Sequence, residues 1–191
     1  MKDVSIVTRR LVLTPLGVND VSRLLEYRSD PGVSRYQFFE PHGEDDARRF
    51  ILGGPPDLSA WHQFGIRLKA SDLLVGDAGI RFPSGDTSQA EVGVTVAPDH
   101  QRQGIASEVL AAVLEHLFCT VGTHRVFASV DPRNAASMAL FARLGMRREA
   151  HFRQSLWFKG EWADDVVFGM LRSEWTLSAA RQATESREGG K

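Results

Sequence analysis

A single cysteine, Cys119, occurs in 191 residues. That excludes a disulfide within the chain and fits a reducing, cytoplasmic setting. An excess of one charge sign is also missing, because the formal net charge is −1. No Lys/Arg run is long enough to track phosphates, so neither nucleic acid nor an anionic membrane is expected as a partner. No stretch approaches the roughly 18 apolar residues of a membrane span, and Met1 to Leu11 lacks the apolar core of a signal peptide. None of the six histidines pairs with another at i, i+4, so no metal site is expected. Internal repeats and low-complexity segments are absent as well.

What is present is an ordinary globular balance of 42% hydrophobic and 25% charged residues, enough for one domain with a sizeable core. Leu11 and Leu13 alternate with other residues and predict a first strand ending at Pro15. Asn19 or Asp20 is placed to cap a helix through Val21, Leu24, Leu25 and Tyr27, and Pro31-Gly32 punctuates. A second short helix, "GEDDARRFIL", carries acids in its first turn and is closed by Gly53-Gly54-Pro55-Pro56. Three strands follow, Trp61 to Leu68, Leu73 to Phe82 and Ala90 to Val96. Their short polar connections make antiparallel hairpins the economical reading.

A long helix begins near Gln103 or Gly104. Ile105, Val109, Val113 and Leu117 form one stripe, and Ala106, Leu110, Leu114 and Phe118 the next, giving a wide buried face. Gly122 ends it. "RVFASV" is then a parallel strand reached by a crossover. A helix from Asn134 to Leu144 stops at Gly145. A hairpin of Arg147 to Phe158 and Trp162 to Leu171 closes the fold. The expected class is a mixed α/β domain over residues 1–175, with a polar tail over 176–191.

Two segments carry chemistry. Gln101, Arg102, Gln103, Gly104, Ile105, Ala106 and Ser107 span a strand-to-helix turn. Helix-opening N–H groups lack partners and carry partial positive charge, so they suit a diphosphate. Gly104 lets the phosphates approach, and Gln101 and Arg102 can add donors. The bland alternative is an ordinary helix start. The second segment puts Asn134, Ser137 and Phe141 on one helix face. Here the alternatives are that Asn134 only caps the helix and that Phe141 is core.

In this order the two segments resemble the GNAT superfamily of N-acetyltransferases, most nearly its ribosomal-protein N-terminal acetyltransferase branch. "QRQGIA" is similar to the family's Gln/Arg-x-x-Gly-x-Gly/Ala signature, and "NAASMALFARLGM" to the branch's Asn-x-x-Ser element. "TRRLVLTPL", "VGDAGIRF" and "KGEWADD" also fall where that branch has similar segments. The resemblance implies a mostly antiparallel sheet with a splayed parallel strand pair, flanked by helices. It implies acetyl-CoA as donor, with its pantetheine arm against Val94, Thr95 and Val96 and its diphosphate on the turn. Asn134 would bond the arm, Phe141 would pack beside the thioester, and Arg143 would meet the 3′-phosphate or adenine end. It also implies a direct attack by an amine acceptor in a ternary complex, with an oxyanion donor near Thr95 or Val96.

Glu91, on the strand face opposite Val92, Val94 and Val96, is the candidate base. Asp164 and Asp165 are alternatives, and Glu108 reads as a capping carboxylate in the first turn of its helix. Many family members have a tyrosine acid where this chain has Phe141. That role is vacant here, and Ser137 can assist the thiolate. Cys119 reads as a packed core thiol. His151 reads as a satisfied strand histidine that can reach the acceptor side. The acceptor wall is expected from Tyr36, Phe38, Phe39, Trp61, Trp157 and Trp162. Protein N-terminus, polyamine, amino sugar and amino acid all remain open as acceptors. A homodimer through the C-terminal hairpin is a further expectation, and a non-catalytic acyl-CoA-binding module is the alternative function.

Overall fold

A computed structural model describes residues 4–37, 39–52 and 58–175; the expected Gly-Gly-Pro-Pro stop, Phe38 and the C-terminal tail lie outside them. The alternating segments build one eight-stranded sheet in the order β1-β2-β3-β4-β5-β6-β8-β7. Its strands are β1 (Ile6–Val7), β2 (Leu11–Pro15), β3 (His62–Leu68), β4 (Leu74–Arg81), β5 (Gln89–Val96), β6 (Arg125–Val130), β7 (Arg147–Phe158) and β8 (Glu161–Leu171). All neighbours are antiparallel except β5 and β6. The helices are α1 (Val21–Arg28), α2 (Pro31–Ser34), α3 (Glu44–Leu52), α4 (Ile105–Glu115) and α5 (Ala135–Arg143).

The two stripes on α4 do what their spacing dictates. Ile105, Val109, Leu110, Val113 and Leu114 are buried against Val92 of β5, Val126 and Ala128 of β6, and Phe168 of β8. Truncating fully buried Leu114 to alanine in such a setting costs about 2–5 kcal/mol. A smaller cluster gathers Val21, Leu24 and Tyr27 of α1 with Ala47 of α3, Leu16, Leu74 and Ala97.

The β5–β6 pair is what positions the site. It runs only from Gln89, Ala90 and Glu91 to Arg125, Val126 and Phe127. Beyond that, β5 stays with β4 as far as Val96, while β6 stays with β8 as far as Val130. A wedge therefore opens between two strands that each remain paired on their other side. On β5 the Ala97 N–H reaches back to the Val75 carbonyl at 2.9 Å, and the Thr95 carbonyl lies against Gly76, where an added Cβ would come within 2.2 Å of it. Strand alternation then turns the main-chain groups of Val94 and Val96 into the wedge and those of Thr95 toward β4. This corrects the expectation that Thr95 offers its backbone to a ligand there.

Four local differences have physical causes. Pro31-Gly32, read as a break, opens the four-residue α2. Proline fits the first helical position, and the Asp30 carboxylate accepts from the N–H groups of Gly32 and Val33. Asp20 does not cap α1, because its carboxylate takes the Gly17 N–H at 2.9 Å and Arg67 at 2.5 Å. The long helix does not run as α-helix to Gly122. It widens into a π-helical stretch over His116–Val121 before Gly122 ends it at φ +82°. In that wider turn Leu117 and Phe118 face inward and Cys119 faces out, so Cys119 is exposed rather than a packed core thiol.

Candidate active site

Side chains alternate across β4 and β5, so Asp77, Gly79 and Arg81 share one face with Glu91, Gly93 and Thr95. Their register sets Asp77 against Thr95, Gly79 against Gly93 and Arg81 against Glu91. Gln63 of β3 extends the middle pair, opposite Gly79. The result is a floor with a glycine pair at its centre and an ion pair at either end. Above it lies a cavity of about 580 Å³, with Tyr36, Phe39 and Trp61 on one side and Asn134, Ser137 and Phe141 on another.

At one end, Glu91 is buried at 6% exposure and bonds Arg81 Nε at 2.6 Å. Burial pushes its carboxyl above the ordinary range, and Arg81 pulls it only part of the way back. The Arg81 guanidinium lies 5.1 Å from the Trp61 ring centre, which holds it over the floor. At the other end, buried Asp77 accepts from the Tyr27 hydroxyl at 2.7 Å and from Arg28 Nε at 3.1 Å, with a further short contact from Arg28 Nη2. None of Tyr27, Arg28, Asp77 or Gln63 stood out in the sequence. Tyr27 and Arg28 lie 50 and 49 residues from Asp77, and only the register of β3 and β4 reveals that Gln63 and Asp77 share the floor.

The wedge leads from this cavity toward the start of α4. Gly104 takes φ +76°, a left-handed conformation that glycine adopts freely. Arg102 also has a positive φ, +59°. The first intrahelical bond runs from the Glu108 N–H to the Gly104 carbonyl at 3.0 Å, so the N–H groups of Ile105, Ala106 and Ser107 have no partner within the helix. Gln101 to Gly104 are exposed. The Gln101 side-chain amide, read as a spare donor, is engaged, and so is that of Gln103. Gln101 donates to the Val96 carbonyl at 3.0 Å and Gln103 to the Asp99 carbonyl at 3.1 Å. They fix the turn and leave its backbone to meet a ligand. This is the geometry a diphosphate requires.

Glu108 does not cap its helix. It accepts from Thr8 Oγ1 at 2.6 Å and from the Arg10 N–H and Nε at 2.9 and 2.7 Å. Burial alone would raise its carboxyl; these donors outweigh burial and hold it below the usual range.

On the other bank of the wedge, Asn134 caps α5, its Oδ1 accepting from the Ser137 N–H at 3.1 Å. Its Nδ2 remains for the cavity that both residues line. Phe141 is buried and stacks on Phe168 with ring centres 5.9 Å apart, so it is both core and cavity wall. Arg143 stands exposed on the last turn of α5. The hairpin contributes Leu156, Phe158, Ala163, Asp164 and Asp165 to the lining. Trp157 and Trp162 do not join them. They pack edge to face at 5.4 Å on the outside, 61% and 58% exposed, because residues next to inward-facing Phe158 and Ala163 must point the other way. His151 Nε2 meets Asp164 at 2.6 Å and Nδ1 meets Arg148 at 2.7 Å, a satisfied strand histidine one contact away from the lining. Lys159, at the hairpin tip, donates to the Ser34 carbonyl at 2.9 Å and pairs with Glu40. It ties the end of α2 and the segment after it to the hairpin, next in the chain to the lining residue Phe158. Among the described residues no group of His, Cys, Asp or Glu is arranged to hold a metal, and no helix is long and apolar enough to cross a membrane.

Comparison with known proteins agrees with this geometry. The Acetyltransferase (GNAT) domain matches residues 10–147. The chain is 31% identical over 170 residues to the uncharacterized N-acetyltransferase YnaD of Bacillus subtilis, covering 89% of this chain and 98% of that one. It is also 31% identical over 185 residues to the [ribosomal protein uS5]-alanine N-acetyltransferase of Escherichia coli, covering 91% and 93%. A GNAT-family acetyltransferase of Bacillus anthracis superposes with a TM-score of 0.82 at 27% identity, over 90% of this chain and all of the other. The mixed sheet with its one parallel pair, the glycine turn and these relatives lead to one conclusion: the chain belongs to the GNAT family of acetyl-CoA-dependent N-acetyltransferases.

Proposed function

We propose that the wedge between β5 and β6 receives the pantetheine arm, that the opening amides of α4 hold the diphosphate, and that the cavity over the glycine pair receives the acceptor amine. One observation carries this reading. The strands part immediately after Glu91, so the buried carboxylate stands where wedge and cavity meet. Acetyl-CoA supplies the acetyl group as an activated thioester. The chain's own residues then have three tasks. Glu91 takes a proton from the bound ammonium, directly or through a water, and its raised proton affinity suits that role. The Val94 and Val96 N–H groups face the wedge, where the oxyanion develops. The Ser137 hydroxyl, in the same cavity, is the donor for the departing thiolate in a site whose Phe141 has no proton to give. Arg143 and Arg102, exposed beside the arm's outer end, are the side chains for the nucleotide phosphates.

Measured rates of thiol release with a panel of amines test the assignment. Glu91→Gln is expected to lower kcat about 100-fold or more while CoA still binds. Full activity in that variant would move the base elsewhere. A cytoplasmic setting is part of the proposal, as is a homodimer through β7, which among the described residues is an edge strand beside β8. Light scattering of the purified protein checks the dimer.

A further inference from the structure

Arg10 stands between β1 and β2, 98 residues before Glu108 in the chain. The turn that carries it is closed from within. The Leu11 N–H donates to Thr8 Oγ1 at 2.9 Å, and the Thr8 N–H donates to the Leu11 carbonyl at 2.9 Å. Lys69 Nζ donates to the Thr8 carbonyl at 2.5 Å. Glu108, in the first turn of α4, then draws this turn onto the helix. Its Oε1 accepts the Arg10 N–H and its Oε2 accepts Arg10 Nε. Held by backbone and side chain at once, the guanidinium has little freedom to swing. With Nε engaged, its Nη1 and Nη2 edge is left over, and neither nitrogen has a hydrogen-bond partner among the described residues. Nη2 lies 3.6 Å from where a Cβ on Gly104 would be. The side chain is 39% exposed, so a ligand can reach it.

The balance of charge gives this placement a purpose. A carboxylate in the first turn of a helix suits the helix but opposes an anion bound at the same end. Glu108 is such a carboxylate, and its three donors keep it ionised. Arg10 cancels that charge and has donors to spare beside the glycine turn. The helix amides offer N–H groups and a partial charge. A planar guanidinium adds a full charge and a pair of donors shaped for phosphate oxygens.

We propose that Arg10 is a further donor-binding residue, its Nη edge bonding the diphosphate of acetyl-CoA at the Gly104 turn. This rests on the placement of the diphosphate proposed above and adds a side chain that meets it. The diphosphate is assigned rather than the 3′-phosphate because Nη2 stands beside Gly104, next to the amides that hold it. Glu108 is the positioning residue, since it holds Nε and so presents the Nη edge. The contact joins the β1–β2 turn to the donor site, a link that near neighbours in the chain do not reveal.

Calorimetry with CoA, dephospho-CoA and pantetheine separates the contributions. Dephospho-CoA lacks the 3′-phosphate and keeps the diphosphate, and pantetheine has neither. Arg10→Gln is expected to weaken CoA and dephospho-CoA by the same factor, about tenfold or more, the scale of one hydrogen bond to a charged group. Pantetheine, read by displacement of bound CoA, should keep its affinity. Arg10→Lys should recover part of the loss, because it restores the charge without the fork. The double variant Arg10→Gln, Glu108→Gln distinguishes contact from shielding. With a direct contact it should bind CoA about tenfold more weakly than Glu108→Gln alone. Equal affinity in those two variants would show that Arg10 only neutralises Glu108, and would overturn the contact. An equal loss on pantetheine would overturn it as a structural effect. A loss confined to CoA would overturn it by moving Arg10 to the 3′-phosphate. Crystals of the wild-type protein with CoA test the contact without any variant. Both Arg10 Nη atoms out of hydrogen-bonding reach of every diphosphate oxygen would overturn it. A wild-type protein that binds CoA no better than pantetheine would instead remove the diphosphate from the turn, and the donor-site reading would fall with it.

Discussion

Glu91 shows how one carboxylate is tuned by opposed neighbours. Burial raises its proton affinity, and the hydrogen bond and charge of Arg81 lower it, with burial prevailing. The base form exists only above that raised value, so kcat/KM should fall on the acid side at a higher pH than an ordinary glutamate would give. Removing the restraint in Arg81→Ala should move the acid limb further upward, which a pH–rate profile reads directly. Glu108 has the opposite sign. Its folded-state value lies below the unfolded one, so its contribution to stability is complete above the unfolded value and lost as pH falls through the folded one. Glu108→Gln should therefore flatten the acid end of a stability–pH curve and leave the neutral end lower. Melting temperatures between pH 3 and 7 check it.

Two glycines act through whole elements. At Gly104 a side chain would be strained at φ +76° and would stand on the helix-opening amides. Gly104→Val should weaken CoA binding by about tenfold or more, each tenfold corresponding to 1.4 kcal/mol, as calorimetry would show. At Gly76 the fault lies in the sheet. A methyl group within 2.2 Å of the Thr95 carbonyl forces β4 and β5 apart beside the wedge. Gly76→Ala should cost about 1–3 kcal/mol in denaturant unfolding.

The elements differ in how openly the sequence announces them. The α4 stripes, the Gly104 turn and the Asn134 face depend on near neighbours in the chain, and all are legible in the order of residues. Strand β4 is not legible in the same way. Its Asp77 and Arg81 look like solvent-facing positions of an alternating strand, yet Asp77 is 1% exposed. What buries it is Tyr27 and Arg28 on a distant helix. The misplacement of Trp157 and Trp162 has a similar origin, since aromatic character does not say which face of a hairpin is covered.

At the scale of the molecule, one tie joins distant segments next to the cavity lining. Lys159 joins the hairpin tip to Ser34 and Glu40. Lys159→Ala should loosen that closure, raise KM for the acceptor and leave CoA affinity near its original value. Faster amide exchange at residues 34–37 would accompany it. Ligand stabilisation gives a whole-molecule check of the donor site. CoA at about 100 times its dissociation constant should stabilise the fold by roughly 2.7 kcal/mol, and no shift in melting temperature would contradict the site.

The three-residue contact between β5 and β6 has a mechanical consequence. A continuous sheet resists shear along every rung of its ladder. This one has a seam at its middle, where strands β1 to β5 meet β6, β8 and β7 through the short Gln89–Glu91 pairing and the Ser88 carbonyl just before it. An extended chain lying in the seam replaces missing rungs, so the occupied protein should be stiffer than the empty one. With the arm of acetyl-CoA lying there, as proposed above, the protein would be completed by its own reagent, and each release of product would reopen the seam.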